Sequence, residues 1–168
     1  MTATECQTTI DKFSEYGILI NPHFQYYFFT DGSGWTDGFG GYSGVILNTT
    51  TFEITILLGG QNRTTVPRQE FKALLECLEH IHKVDSRRGL DICHYSDCEA
   101  LVKSIRCENG KESNHDLWHF FEYFERYYTI ETNHVKRTNE ILYMQIADLH
   151  ASAQREQIKT YCESTNCL

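Results

Sequence analysis

The chain has 168 residues, 40% of them hydrophobic and 23% charged, with a formal net charge of −8. Such a length suits one domain with a real core, and ordinary apolar and charged fractions exclude a disordered or fibrous chain. The acidic balance argues against a generic nucleic-acid binder, which is usually basic.

Residues 1–24 are polar and mixed, with a short helix read around Ile10–Tyr16, and form an N-terminal extension. Tyr26–Thr30 is a continuous aromatic run, as a buried central strand should be. Glycines at 38, 40, 41 and 44 punctuate the turn into a second strand near Tyr42–Leu47. Phe52–Ile56 alternates with period two, the mark of a half-exposed strand, and the short Asn48–Thr51 link predicts a hairpin. Pro67 suits the first turn of a helix running to about Lys83, with Phe71, Leu74, Leu75, Leu78 and Ile81 on one face. Leu90–Tyr95 reads as a buried strand, and Asp97–Arg106 and Asp116–Tyr127 as helices separated by a polar loop. Ile130–Val135 is a fifth strand, Ile141–Gln157 the last helix, and residues 158–168 a C-terminal tail. The order βββαβααβα predicts an α/β fold, a mixed sheet flanked by helices.

No run of about 18 apolar residues exists, so no transmembrane helix is expected. The N-terminus lacks the basic-then-apolar pattern of a secretory signal, so a cytoplasmic or nuclear location is expected. Seven cysteines, an odd number with no Cys-x-x-Cys pair, read as reduced thiols rather than a disulfide framework or a zinc site.

Four carboxylates stand in distinctive local frames: Asp31 after the aromatic strand and before Gly32-Ser33-Gly34, Glu70 at a helix start, Asp97 after a strand, and Asp148 on the last helix. Taken singly, each reads as a helix cap or a solvated acid, and for Asp97 an N-cap role is plausible. Folding can bring a strand end, two helix starts and a late helix to one point. Acids meeting there repel one another unless cations lie between them, and hard divalent ions with oxygen ligands, Mg²⁺ above all, answer that demand. The pattern points to metal-dependent phosphoryl transfer.

These pieces resemble the ribonuclease H family, type 1. The resemblance rests on Thr30-Asp31-Gly32-Ser33-Gly34 with Gly40-Gly41-Tyr42-Ser43-Gly44, on Thr65-Val66-Pro67-Arg68-Gln69-Glu70, on Tyr95-Ser96-Asp97, on Asn114-His115-Asp116-Leu117-Trp118, and on His134-Val135-Lys136-Arg137 followed by Ala147-Asp148. They occur in the family's order over about residues 25–157. The resemblance implies a ribonuclease H-like catalytic domain over residues 25–157, with a five-stranded sheet of three antiparallel then two parallel strands. It implies endonucleolytic cleavage of the RNA strand of an RNA–DNA hybrid by a two-metal mechanism. Two Mg²⁺ ions, with Mn²⁺ as a substitute, would be held by Asp31, Glu70, Asp97 and Asp148, with Asp31 as the bridge.

Position in those motifs also implies substrate contacts from Gly32, Ser33, Gly34, Thr65, Arg68, Gln69 and Glu99, while Trp118 reads equally as a DNA-sugar contact or as core. The family's loop histidine is missing: Val135-Lys136 is followed by Arg137-Thr138 and then Asn139-Glu140. The departure implies either slower turnover or replacement by Arg137, which would stabilise charge near the scissile phosphate, and Glu140 is a reserve ligand. His134 reads as structural, and His150 as a surface or core residue. A basic helix that many relatives carry before the tryptophan helix is not evident. The N-terminal extension is too short and too poor in Lys and Arg for a hybrid-binding module. It reads as a tail or strap that could take a protein partner, on a domain expected to be monomeric. The rival readings are another nuclease of the same superfold and a weakly active or non-catalytic binding module.

Overall fold

The computed structural model describes residues 19–107, 113–136 and 141–165. Among them the elements are β1 (Tyr26–Gly34), β2 (Gly40–Asn48), β3 (Ile54–Gln61), α1 (Val66–Val84), β4 (Leu90–Ser96), α2 (Glu99–Ile105), α3 (His115–Phe124), β5 (Tyr128–His134) and α4 (Leu142–Thr165). The sheet order is β3-β2-β1-β4-β5. β3, β2 and β1 pair antiparallel, while β4 and β5 join parallel to β1, as expected. The helix read around Ile10–Tyr16 lies outside the described residues.

The aromatic run of β1 serves both faces of the sheet, because successive side chains point to opposite sides. Tyr26 and Phe28 pack with Phe71, Leu74, Leu78 and Ile81 of α1 and with Trp118 and Phe121 of α3. Tyr27 and Phe29 pack with Val45, Leu47, Cys93 and, from α4, Tyr143, Met144 and Ala147. Phe28 and Phe29 are fully enclosed, and each such ring stabilises the fold by roughly 1.5–3 kcal/mol. With helices on both faces, the central strand has no solvent side and so carries no polar alternation.

Several boundaries differ from expectation, among them the third strand, which spans Ile54–Gln61 rather than Phe52–Ile56 because its pairing with β2 continues to Gln61↔Gly40. β1 continues through Asp31 to Gly34, because β2 keeps pairing with it from Asp31↔Ser43 to Gly34↔Gly40. Gly40, Gly41 and Gly44 therefore lie inside β2 rather than in a turn. They are small because helices rest on them: a Cβ at Gly41 would collide with the Ala151 carbonyl and the Arg155 backbone nitrogen of α4, and one at Gly44 with Cys77 of α1. At the other end, α4 runs to Thr165 instead of stopping near Gln157. Its last turns bury Cys162 and bring Ile158 against Gly60, so residues 158–165 are part of the packed unit. Two small contacts at i, i+4 spacing are a faint sequence signal, which explains the tail reading.

The register also makes an opening. β1 pairs with β2 along its whole length but with β4 only as far as Thr30↔Ser96. From Asp31 onward β1 has lost its parallel neighbour, and the gap lies beyond the carboxyl ends of β1 and β4. Crevices in that position are where α/β sheets bind ligands. Among the described residues no helix is long and apolar enough to cross a membrane.

Candidate active site

Asp31, Glu70 and Asp97 converge at this opening, with one carboxylate oxygen from each lying within 4.8 Å of the others. Each arrives by a different route. Asp31 is carried by the sheet at the first β1 position beyond β4. Glu70 is carried by the first turns of α1, and Gly32 decides how near it comes. A Cβ on Gly32 would overlap the Glu70 backbone nitrogen and Cα, so only glycine lets α1 rest against β1 there. Asp97 follows the last residue of β4 and precedes Cys98, the N-cap residue of α2. It is therefore not the helix cap that its local sequence suggested. His134, at the end of β5, steadies this link: its Nε2 lies 3.2 Å from the Asp97 carbonyl oxygen.

The electrostatics are demanding. Asp31 is 1% exposed and Glu70 4% exposed. Two buried carboxylates beside a third repel strongly where water screening is weak. Their neighbour Cys98 registers the same field: burial, then the Glu70 and Asp97 charges, push its thiol up from the ordinary range. Oxygen-only donors in this number and spacing fit a hard divalent cation, and fit zinc or copper poorly for lack of nitrogen or sulfur.

Asp148 is not within the close triad. It projects from α4 into a cleft of about 90 Å³ that it shares with Asp31, Asp97, Val135, Lys136, Met144 and Gln145. A second cleft, of about 170 Å³, is lined by Gly32, Ser33, Gly34, Val66, Glu70, Asp97 and Arg155. The carboxylates thus stand between two openings, each with a cation in its wall. Arg137 and Glu140 lie outside the described residues.

The residues expected to contact substrate are distributed unevenly. Ser33 and Gly34 line the second cleft. Gly32 does too, although its lack of a side chain serves the approach of α1. Thr65 is exposed at the N-cap of α1, where its hydroxyl makes no capping bond. Arg68 is engaged with the protein, forming a two-pronged pair with Asp116 and a 3.3 Å bond to Asn114 Oδ1 that tie α1 to α3. Glu99 is exposed in the first turn of α2 and pairs with Lys103. Gln69 departs from expectation. It is fully enclosed, donating to Thr64 Oγ1 at 2.7 Å, and offers no surface to a strand. Trp118 is 6% exposed, with its ring centroid 4.5 Å from that of Phe71, so it serves the core.

Sequence reasoning assigned no role to Lys136 or Arg155. Arg155 had a legible signal, since it follows Asp148 by seven residues on one helix and so shares its face. Lys136 stood inside a recognised motif, but only the fold shows that it lines one cleft with Asp31 and Asp148.

The sequence matches no family model and no curated relative. Solved structures nonetheless superpose well. The N-terminal RNase H domain of a Mycobacterium tuberculosis protein gives a TM-score of 0.70 at 15% identity, covering 82% of this chain and 97% of that one. LC11-RNase H1 in complex with an RNA/DNA hybrid gives 0.68 at 16% identity, covering 79% and 97%. RNase H1 from the halophilic archaeon Halobacterium salinarum gives 0.61 at 19% identity, covering 79% and 98%. Topology and superposition agree: the chain has a type 1 ribonuclease H-like fold.

Proposed function

We propose that the chain is a divalent-metal-dependent endoribonuclease that cuts the RNA strand of RNA–DNA hybrids, leaving 5′-phosphate and 3′-hydroxyl ends. The observation that carries this reading is the convergence of Asp31, Glu70 and Asp97 at the gap between β1 and β4. The likeness to an RNase H1 solved with an RNA/DNA hybrid supports the choice of substrate.

In this reading Asp31, Glu70 and Asp97 hold Mg²⁺, with Mn²⁺ able to substitute, and Asp148 contributes from α4. Bound divalent ions supply two things in such sites, a lowered pKa for the attacking water and stabilisation of the charge leaving on the sugar oxygen. The protein's part is to keep the oxygen donors rigid. Asp31 is fixed by the sheet, Glu70 by the contact of Gly32 with α1, and Asp97 by the His134 bond to its carbonyl. Lys136 offers a positive charge beside Asp31 and Asp148, where a phosphate of the cut strand can be held. Thr65 and Ser33 supply polar contacts to the two strands, and Arg137 is proposed to stabilise charge on the phosphate in the transition state.

The test is incubation of the protein with labelled RNA–DNA hybrid, RNA duplex, DNA duplex and single-stranded RNA, each with Mg²⁺ or EDTA. Cleavage confined to the RNA of the hybrid and abolished by EDTA is the expected result. Cleavage of a DNA strand, or no cleavage of any substrate in Mg²⁺ or Mn²⁺, would overturn it.

A further inference from the structure

Beside the second cleft stand two cations and an aromatic ring that the proposed chemistry leaves unused. Trp35, just after β1, is 36% exposed. The Arg155 guanidinium carbon and the Lys159 Nζ each lie 4.3 Å from its ring centroid. Arg155 and Lys159 are one helical turn apart on α4, so both point to the same side. The Arg155 guanidinium also reaches β1, its Nη1 donating to Ser33 Oγ at 2.7 Å. Among the described residues its buried Nε has no hydrogen-bond partner. This reach depends on Gly41, since any side chain there would strike the Arg155 backbone and lift α4 from the sheet. In a chain of net charge −8, two cations have been gathered on an aromatic ring, and one of them lines the same cleft as Glu70 and Asp97.

We propose that Arg155, Lys159 and Ser33, held around the Trp35 ring, form a phosphate subsite for the nucleic-acid strand that crosses the carboxylate cluster. The inference rests on the nuclease reading above and adds to it where the strand lies on the α4 side. A guanidinium presents paired donors that match a phosphate, and Lys159 adds a point charge. The Trp35 ring holds both cations by cation–π attraction and limits the freedom that binding would otherwise remove.

The cations do have acidic neighbours: Arg155 Nη2 lies 3.0 Å from Glu156 and Lys159 Nζ 3.3 Å from Asp37. Those carboxylates are 52% and 39% exposed, and exposed pairs are worth only about 0–1 kcal/mol. A phosphate can replace them at little cost. Glu70 and Asp97 repel a phosphate until a divalent ion neutralises them, so the subsite works together with the metal.

The test keeps all the carboxylates intact and is run in Ca²⁺, a hard cation of oxygen sites, with the RNA strand checked for cleavage on a gel after each titration. Binding of a labelled RNA–DNA hybrid, a DNA duplex and a single-stranded RNA is followed by anisotropy over a range of salt. Arg155→Ala should raise the hybrid Kd about tenfold, as for one charge-assisted contact, and should lower the magnitude of the log–log salt slope by about 0.9, one phosphate's worth. Lys159→Ala should act in the same direction, and Arg155→Lys should keep the slope while recovering part of the affinity. Hybrid binding should also change the indole emission, a change that Trp35→Phe removes. If Arg155→Ala fails to fold, Lys159→Ala and the Trp35 emission decide. Unchanged Kd and slope in the folded alanine variants, while the wild type still cleaves hybrid, would overturn the subsite and leave the nuclease reading standing. Arg155-dependent binding of DNA or single-stranded RNA by a protein that cleaves no hybrid would overturn the nuclease reading and keep the subsite. Absence of Arg155-dependent binding to any of these nucleic acids would also overturn the subsite.

Discussion

Thr30 and Asp31 are neighbours on β1 and both are buried, yet they belong to clusters of opposite character. Thr30 shares a 2.8 Å hydrogen bond with His94 Nε2, and His94 Nδ1 lies 3.4 Å from Thr132 Oγ1, so a polar line crosses β1, β4 and β5 inside the sheet. Burial pushes His94 down to about 3, which keeps the ring neutral. One residue further along β1, where β4 no longer pairs, Asp31 meets Glu70 and Asp97. Polar side chains at the first place are matched to one another without net charge. The second place concentrates like charge at the mouth of two clefts. The lesson is that burial alone does not mark a functional residue. What sets the candidate site apart is buried charge of one sign, placed where the sheet opens.

The largest effect that would break this contrast is on catalysis. Asp31→Asn keeps the side chain's shape and removes its charge. It should reduce hybrid cleavage by at least about a thousandfold, the scale of losing an essential electrostatic group, with an unchanged circular dichroism spectrum. Near-normal Mg²⁺-dependent cleavage by this variant would remove the triad from the active site.

Replacing the neutral cluster should do the reverse. His94→Ala leaves a cavity and two unmatched threonines, and should cost about 2–4 kcal/mol of stability in denaturant melts. Cleavage per folded molecule should change less than twofold. A large loss of activity at full folding would mean that the two clusters act as one.

Metal binding offers a sharper distinction. Mg²⁺ at about 100 times its Kd should stabilise the wild type by about 2.7 kcal/mol, seen as a rise in Tm, and should do much less for Asp31→Asn. Thr132→Val should retain the rise. A Tm that ignores Mg²⁺ and Mn²⁺ in the wild type would count against a metal site.

The smallest effect, taken over a single pH unit, is in pH dependence. Because His94 is held near 3 when folded and titrates in its ordinary range, near 6.5, when unfolded, the unfolded chain binds a proton that the folded one refuses between those values. Stability should therefore fall as the pH drops below about 6.5, by up to about 1.4 kcal/mol per pH unit from this group. His94→Gln should be less pH-sensitive over that interval by up to the same amount. Parallel stability–pH curves for the two proteins would show that His94 does not behave as described.

Much of the fold was readable in the chain. The aromatic run Tyr26–Thr30, the amphipathic face of α1 and the alternation leading into β3 follow from local periodicity, and the element order restricts the sheet to few topologies. The acids were readable because each stands in a short motif. Less visible were features made by contacts distant in sequence. The glycines of β2 looked like turn residues because their role is to admit α1 and α4. Gln69 looked like a substrate contact because its sequence neighbour Glu70 is a candidate ligand, and Trp118 could be read either way, whereas contacts with Thr64 and Phe71 turn both inward.

The sequence by itself determined which groups could carry the chemistry: oxygen donors in ordered motifs, and a scaffold pattern able to gather them. Only the tertiary structure decided which of them meet. Asp31, Glu70 and Asp97 come together because β4 stops pairing with β1 at Thr30 and because Gly32 lets α1 close in. Asp148 stands further off, across the small cleft, and Arg155 joins the other wall through the seating of α4 on Gly41. Periodicity reports which face of an element is apolar. How closely two faces approach is set by side-chain volume at the point of contact, and that is fixed only when both are packed.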